Sequence, residues 1–201
     1  MLDKAAGLQN FVHAVNVTQN PMASTRMSSL ATSAIISNLG MEAVMQITAR
    51  DFNRLTLQST GIGASALGIH NILCLTGDPP TDNSGPISGL PFDLDATQML
   101  WILRRLRDKA ILLNGRTISS PPRYFLGAAG SPNNPNLRHE ALRLEKKINA
   151  GAQFIQTQLV FDIGNLERWL SALDAQNLLE KVHVLVGIGP LRSVKVARYL
   201  Q

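Results

Sequence analysis

The hydrophobic residues of this chain fall into six short apolar runs, which alternate with longer amphipathic stretches. Each run is seven to ten residues long and places apolar side chains at both odd and even positions. This pattern is typical of strands that lie in a parallel sheet covered by helices on its outside. The runs predict strands at residues 11–18, 41–48, 70–76, 123–129, 152–161 and 182–188.

The stretches between the runs predict helices, and their ends carry capping residues. Asp51, Asp162 and either Asp93 or Asp95 are placed to cap helix starts, and Gly40 and Gly151 to end helices. The helices are predicted at residues 2–10, 24–39, 51–68, 93 or 95 to 109, 137–150 and 162–175, with a last one beginning at Pro190.

Strands alternating with helices of this length predict βαβ units in one α/β domain that covers residues 1–201. An open doubly wound sheet and a (β/α)8 barrel of the TIM type both fit. The sequence has no G-x-G-x-x-G motif after the first strand and no P-loop, which disfavours the nucleotide-binding open sheets. The strand ends are small or polar, which favours a barrel because they meet there on one catalytic face. Six units and 201 residues fall short of a complete barrel, so we expect an incomplete one.

Composition narrows the class of protein. A net charge of +5 suits an anionic ligand, but the basic runs at 104–109 and 143–147 lie in predicted helices without interleaved aromatic residues. We therefore expect no nucleic-acid partner. Cys74 lies in an apolar run, where a buried thiol is expected, and the four histidines lack metal-ligand spacing. No apolar run is long enough to span a membrane and no signal peptide opens the chain, so we expect no metal, no membrane and a cytoplasmic location.

Three positions are candidates for chemistry from the residues alone. Asp78 follows a strand beside Gly77, so it either caps a turn or presents a carboxylate on the catalytic face. Gln156 and Gln158 share one face of a strand, where they bond either a neighbouring side chain or a planar heterocycle. Lys147 lies near a helix end, where it either complements the helix dipole or reaches a phosphate.

Five segments, in order along the chain, resemble methylenetetrahydrofolate reductase. They read VNVTQNP, QITARDFNR, NILCLTGDPP, KKINAGAQFIQTQLVFD and VLVGIGPL. The resemblance implies a barrel that binds FAD and reduces methylenetetrahydrofolate to methyltetrahydrofolate in one-carbon and methionine metabolism. NADH, NADPH or an iron–sulfur partner subunit would supply electrons, and an oligomer is left open.

The resemblance also implies roles for individual residues. Asp78 matches the aspartate of a Gly-Asp pair that lies near flavin and folate, and Gln158 matches a glutamine that contacts folate. The implied FAD contacts, by matching motif positions, are Thr18, Gln46, Thr76, Gly77, Asp78 and Lys147. Gln46 stands where many relatives have histidine.

One departure bears on activity. The family's general acid is a glutamate on the first barrel strand, and no matching glutamate precedes residue 11. We therefore expect a fragment that lacks the first and last strands and has no reductase activity alone. Two alternatives are a folate-binding protein of the methyltransferase type and a catalytically inactive barrel subunit.

Overall fold

A computed structural model describes residues 5–78, 93–191, 193 and 194. Six parallel strands form one sheet, and each strand lies beside the next one along the chain. This order is that of a (β/α) barrel and confirms the predicted fold class. The strands are β1 Ala14–Val17, β2 Glu42–Thr48, β3 Asn71–Leu75, β4 Phe125–Gly130, β5 Phe154–Leu159 and β6 His183–Gly187.

In the described part of the chain, five α-helices connect the strands. They are α1 Ser29–Asn38, α2 Arg54–Ala66, α3 Ala96–Lys109, α4 Leu137–Ala150 and α5 Ile163–Asp174. The predicted caps Asp95 and Asp162 are confirmed, since each side chain accepts a hydrogen bond from a backbone amide in the first turn. Gly151 ends α4 with a φ of +129°, which favours glycine.

Two predicted helix starts are wrong. Asn53, not Asp51, caps α2, because its side-chain oxygen accepts from the amides of residues 55 and 56. The predicted start at residue 24 is replaced by a short 3₁₀ turn at Pro21–Ala23, and α1 begins after Ser28. The predicted helix 2–10 is helical only at Ala5 and Ala6 in the described part, and most of the helix predicted from Pro190 lies outside the described residues.

The sheet curves into a half-barrel. Asn16 on β1 donates a hydrogen bond from Nδ2 to Oε1 of Gln156 on β5, at 2.8 Å. Four strand spacings separate β1 from β5, which is about 19 Å in a flat sheet. Two amide side chains cannot bridge that distance, so the sheet must bend to bring the strands together on its concave face.

The helices cover the convex face of this sheet. Met45, Ile72, Leu126 and Ile155 alternate with concave residues along their strands and pack in one buried apolar core with the helices. Cys74 belongs to the same core, as predicted, and burial raises the pKa of its thiol. The convex core therefore fixes the strands on which the concave residues are held.

The two outer strands leave the half-barrel open. In the described part of the chain, β1 pairs only with β2 and β6 only with β5. Apolar side chains beside these strands contact solvent, including Phe11 at 84% exposure and Ile188 at 81%. No described helix is both long and apolar enough to cross a membrane.

Candidate functional site

Three side-chain amides meet on the concave face. Gln46 on β2 donates from Nε2 to Oδ1 of Asn16 at 3.0 Å, and Asn16 donates to Gln156 at 2.8 Å. We call these three residues the amide row. Their side chains are held by one another across the curved sheet, which orients the donor and acceptor groups of each amide.

Apolar side chains share the concave face with the amide row. The strand register runs from Gln46 through Leu73 and Gly127 to Phe154, and partners in register share a face. Phe154 is buried and stacks on Phe125, with ring centroids 5.2 Å apart. The concave face thus has an apolar floor with polar groups towards the carboxyl ends of the strands, which we call the carboxyl edge.

The Thr76–Gly77–Asp78 turn follows β3 at this carboxyl edge. Gly77 has a φ of +85°, and a Cβ there would lie 3.2 Å from the Cβ atoms of Thr48 and Arg50. Glycine is therefore required for both its backbone conformation and the close approach. Thr76 Oγ1 accepts from the first amide of α3 at 3.3 Å, and Asp78 is exposed at the end of the turn.

Gln158 lies at the carboxyl end of β5, two residues after Gln156. Its Oε1 accepts a hydrogen bond from the Ser131 hydroxyl at 3.1 Å, and the residue is exposed. Between the two glutamines, Thr157 is buried and its hydroxyl accepts from the Gly187 amide. Gln156 lies on the concave face, but the β5–β6 pairing shifts register between Gln156 and Leu159, so the predicted shared face of Gln156 and Gln158 stays a prediction.

The ammonium group of Lys147 is bonded to the backbone of the sheet. Its Nζ donates to the carbonyl oxygen of Ala129, at the carboxyl end of β4, at 2.8 Å. Burial lowers the pKa of this ammonium group, and the charge of the nearby Glu140 opposes the shift. The bond to Ala129 uses one of the three donors of the ammonium group, and the predicted FAD contact of Lys147 stays a prediction.

Thr18 is exposed just after β1. It lines an open cavity of about 400 Å³ together with Asn16, Val17, Arg26 and Met27. The structure thus places the predicted residues in four positions: Thr18 and Gln46 beside Asn16, the turn 76–78 after β3, Gln158 beside Ser131, and Lys147 on the Ala129 carbonyl. Among the described residues, no group of three or more His, Cys, Asp or Glu side chains is arranged to hold a metal ion.

Sequence reasoning missed two residues at this edge. Asn16 links the amide row, and its position two residues before Thr18 on the same face could have revealed it. Arg50 comes just after β2, and its buried side chain bonds to residues of three strand ends. A charged residue directly after an apolar strand is the only local signal for it.

Comparisons with known proteins agree with this architecture. Methylenetetrahydrofolate reductase 2 of Saccharomyces cerevisiae is 28% identical over 179 residues, covering 84% of this chain and 27% of the yeast protein. A probable methylenetetrahydrofolate reductase (NADPH) of Caenorhabditis elegans is 26% identical over 172 residues, covering 83% of this chain and 23% of the worm protein. The chain thus spans about a quarter of the length of these curated relatives.

Solved structures support the fold. A Clostridium thermocellum protein described as binding two copies of 5-methyl-5,6,7,8-tetrahydrofolic acid superposes with a TM-score of 0.64 at 12% identity, covering 98% of this chain and 62% of that one. A 2,3-dimethylmalate lyase of the PEP mutase/isocitrate lyase superfamily gives 0.59 at 11% identity, covering 99% and 74%. The family model described as methylenetetrahydrofolate reductase matches residues 2–201, and the chain therefore belongs to the methylenetetrahydrofolate reductase family.

Proposed function

We propose that this chain forms the folate- and FAD-binding half-barrel of a methylenetetrahydrofolate reductase. The reaction is the flavin-dependent reduction of methylenetetrahydrofolate to methyltetrahydrofolate. The observation that carries the proposal is the carboxyl edge, where a Gly-Asp turn and ordered amides lie on one open face of a sheet from this family. A pterin and an isoalloxazine are planar rings with alternating donors and acceptors, which suit amide and carboxylate partners.

The residues present fit a flavin at part of its proposed site. At Gly77 the Cβ atoms of Thr48 and Arg50 occupy the space beside the missing side chain, so the glycine lets the turn pack closely on the strand ends. Gln46 offers a polar group on the concave face, and Thr18 offers one in the open cavity beside β1. These residues and Thr76 would hold FAD, and Lys147 would offer to a phosphate the donors that its bond to the Ala129 carbonyl leaves over. When bound, the flavin supplies the hydride chemistry, and the protein supplies orientation and electrostatics.

Asp78 and Gln158 are assigned to the folate. An ionised Asp78 would accept hydrogen bonds from the donor edge of the pterin and hold it in one orientation. Gln158 would offer its amide nitrogen, since its oxygen already accepts from Ser131 and its Nε2 bonds no other described residue. Together they would position the pterin without any covalent step on the protein.

The general acid of the family is a glutamate, and the placement of the glutamates in this chain favours a second candidate function. All five glutamates are described, and only Glu42 lies on a strand, at the amino end of β2, where it accepts from Asn71 at 2.9 Å. Glu140 is buried with its oxygens engaged by the Ser131 amide and by Asn134. This placement favours a folate-binding protein of the methyltransferase type, or an inactive barrel subunit, as the alternative function.

The remaining parts of the proposal come from the family resemblance. We propose that NADH, NADPH or an iron–sulfur partner subunit donates the electrons, and that the protein acts in the cytoplasm in one-carbon and methionine metabolism. The binding of folate to this chain is also supported by the Clostridium thermocellum protein of the same fold, which is described as binding 5-methyl-5,6,7,8-tetrahydrofolic acid.

Ligand binding by the purified chain distinguishes the candidates. The chain is titrated with FAD, followed by flavin absorbance and fluorescence, and separately with 5-methyltetrahydrofolate, followed by calorimetry. Saturable binding of both supports the reductase. Folate binding without flavin binding supports the alternative, and binding of neither refutes both.

A further inference from the structure

Arg50 lies between three strand ends at the carboxyl edge. One Nη donates to the carbonyl oxygen of Asn20, after β1, at 2.8 Å, and the other donates to the carbonyl oxygen of Asp78, after β3, at 3.2 Å. Its Nε donates to Oδ1 of Asp51, directly after β2, at 2.9 Å. The Arg50 side chain is only 6% exposed. It therefore holds the strand ends together inside the protein and is not a surface charge.

Asp51 neutralises this buried guanidinium. Its Oδ2 also accepts from the side chains of Asn20 at 3.0 Å and Gln19 at 3.3 Å. Burial alone would raise the pKa of the Asp51 carboxyl, but the hydrogen bonds from Arg50 and Asn20 and the charge of Arg50 outweigh it and hold the pKa below its ordinary value. Because Asp51 neutralises the charge of Arg50, the guanidinium is suited to hydrogen-bonding the backbone and not to binding an anion.

The turn after β3 is held from two sides by the same residue. The Arg50 backbone amide donates to the carbonyl oxygen of Thr76 at 3.1 Å, while its side chain reaches the carbonyl oxygen of Asp78. Between these two bonds lies Gly77, where a Cβ would crowd Arg50. The position of the Asp78 backbone therefore depends on Arg50 directly.

We propose that Arg50 is a positioning residue that fixes the Gly77–Asp78 turn and so places the Asp78 carboxylate for its ligand. The contacts described above support the placement of the turn. The identification of the ligand as folate rests on the proposed function. A planar guanidinium can donate in three directions at once, whereas the ammonium group of lysine is a point donor without that fork. Arg50→Lys should therefore keep the charge balance with Asp51 and lose the simultaneous hold on the three strand ends.

Hydrogen exchange tests the positioning without any ligand. In Arg50→Lys, amide exchange in the segment 71–78 should quicken about tenfold, the equivalent of one lost hydrogen bond of about 1.4 kcal/mol. The matched control is Arg54→Lys, since Arg54 is exposed and pairs with Asp93 at 3.4 Å. Arg50→Gln serves if the lysine variant does not fold. Unchanged exchange in a folded Arg50 variant would overturn the proposal.

A double-mutant cycle separates positioning from general stability. Arg50→Lys should weaken binding of 5-methyltetrahydrofolate about tenfold in the native background and less than about twofold in Asp78→Asn, because it acts through Asp78. Additive losses would contradict a role through Asp78. If the native chain binds no folate, the proposed function fails, and the exchange result alone still decides whether Arg50 fixes the turn.

Discussion

A methyl group added at Gly127 tests the packing of the concave floor. An ideal Cβ at Gly127 would overlap the ring of Phe154, with Cε1 only 2.5 Å away. Carbon atoms pack best at about 3.5–4.0 Å, so the ring would have to retreat by about 1 Å or more. Phe154 is only 2% exposed and stacks on Phe125, which leaves the ring little room to move.

The expected loss of stability follows from this overlap. Overpacking a tight core costs about 1–3 kcal/mol, and the confined ring places Gly127→Ala near the upper end. For a chain of this size, each kcal/mol shifts Tm by about 2–4 °C, so about 3 kcal/mol lowers Tm by about 6–12 °C. Thermal and urea unfolding followed by circular dichroism would measure both quantities.

Two further variants control this experiment. Gly63→Ala in α2 adds the same methyl group where nothing lies within 4 Å, and it should stabilise the helix by about 0.4–1 kcal/mol. Phe154→Leu should recover part of the loss when it is combined with Gly127→Ala, because it removes the ring atoms that the methyl group meets. If Gly127→Ala costs less than about 0.5 kcal/mol, as an ordinary surface change would, the described floor is wrong.

The remaining predictions concern three polar residues of the carboxyl edge. Asp78→Asn should weaken binding of 5-methyltetrahydrofolate about 10–100-fold in calorimetry while FAD stays bound, because a charge-assisted hydrogen bond is worth about 1.5–3 kcal/mol, and unchanged folate affinity would rule out its assigned role. Gln158→Glu should weaken folate binding more than flavin binding, because a carboxylate replaces the amide donor. If the affinities for both ligands are the same as in the native chain, Gln158 is a purely structural residue. Asp51→Asn should lower Tm at pH 7 and lose this effect as the pH falls below about 3.9, since a carboxyl with a depressed pKa stabilises the fold only while ionised. An exposed control, Asp174→Asn, should change Tm little, and a pH-independent loss for Asp51→Asn would contradict the paired carboxylate.

Local sequence patterns predicted most of the fold. The strand runs were recognisable because a parallel sheet buries both of its faces, and the caps Asp95 and Asp162 because their side chains bond amides only three residues away. Asp51 was misassigned as a helix cap because a carboxylate at this position can either cap the helix or pair with a neighbouring cation. Asn53 lies closer to the helix start, and the Asp51 carboxylate is instead engaged by Arg50, Asn20 and Gln19.

The candidate site was only partly predictable. Alternation along one strand predicted that Gln156 and Gln158 share a face. It could not reveal that Gln156 bonds Asn16, 140 residues earlier in the chain, because that contact depends on the curvature of the whole sheet. Arg50 was missed for a similar reason, since its partners come from the ends of three separate strands. Long-range geometry, not residue type, sets these contacts.

The position of a bound folate decides whether the carboxyl edge is the folate site of this chain. A crystal structure of the chain with 5-methyltetrahydrofolate should place the pterin at the carboxyl edge, within hydrogen-bonding distance of Asp78 and Gln158. The opposite, amino-terminal side of the concave face has its own cavity of about 400 Å³, lined by residues that include His13, His70 and Phe125. A pterin bound there, with Asp78 and Gln158 free of ligand contacts, would show that the carboxyl edge is not the folate site.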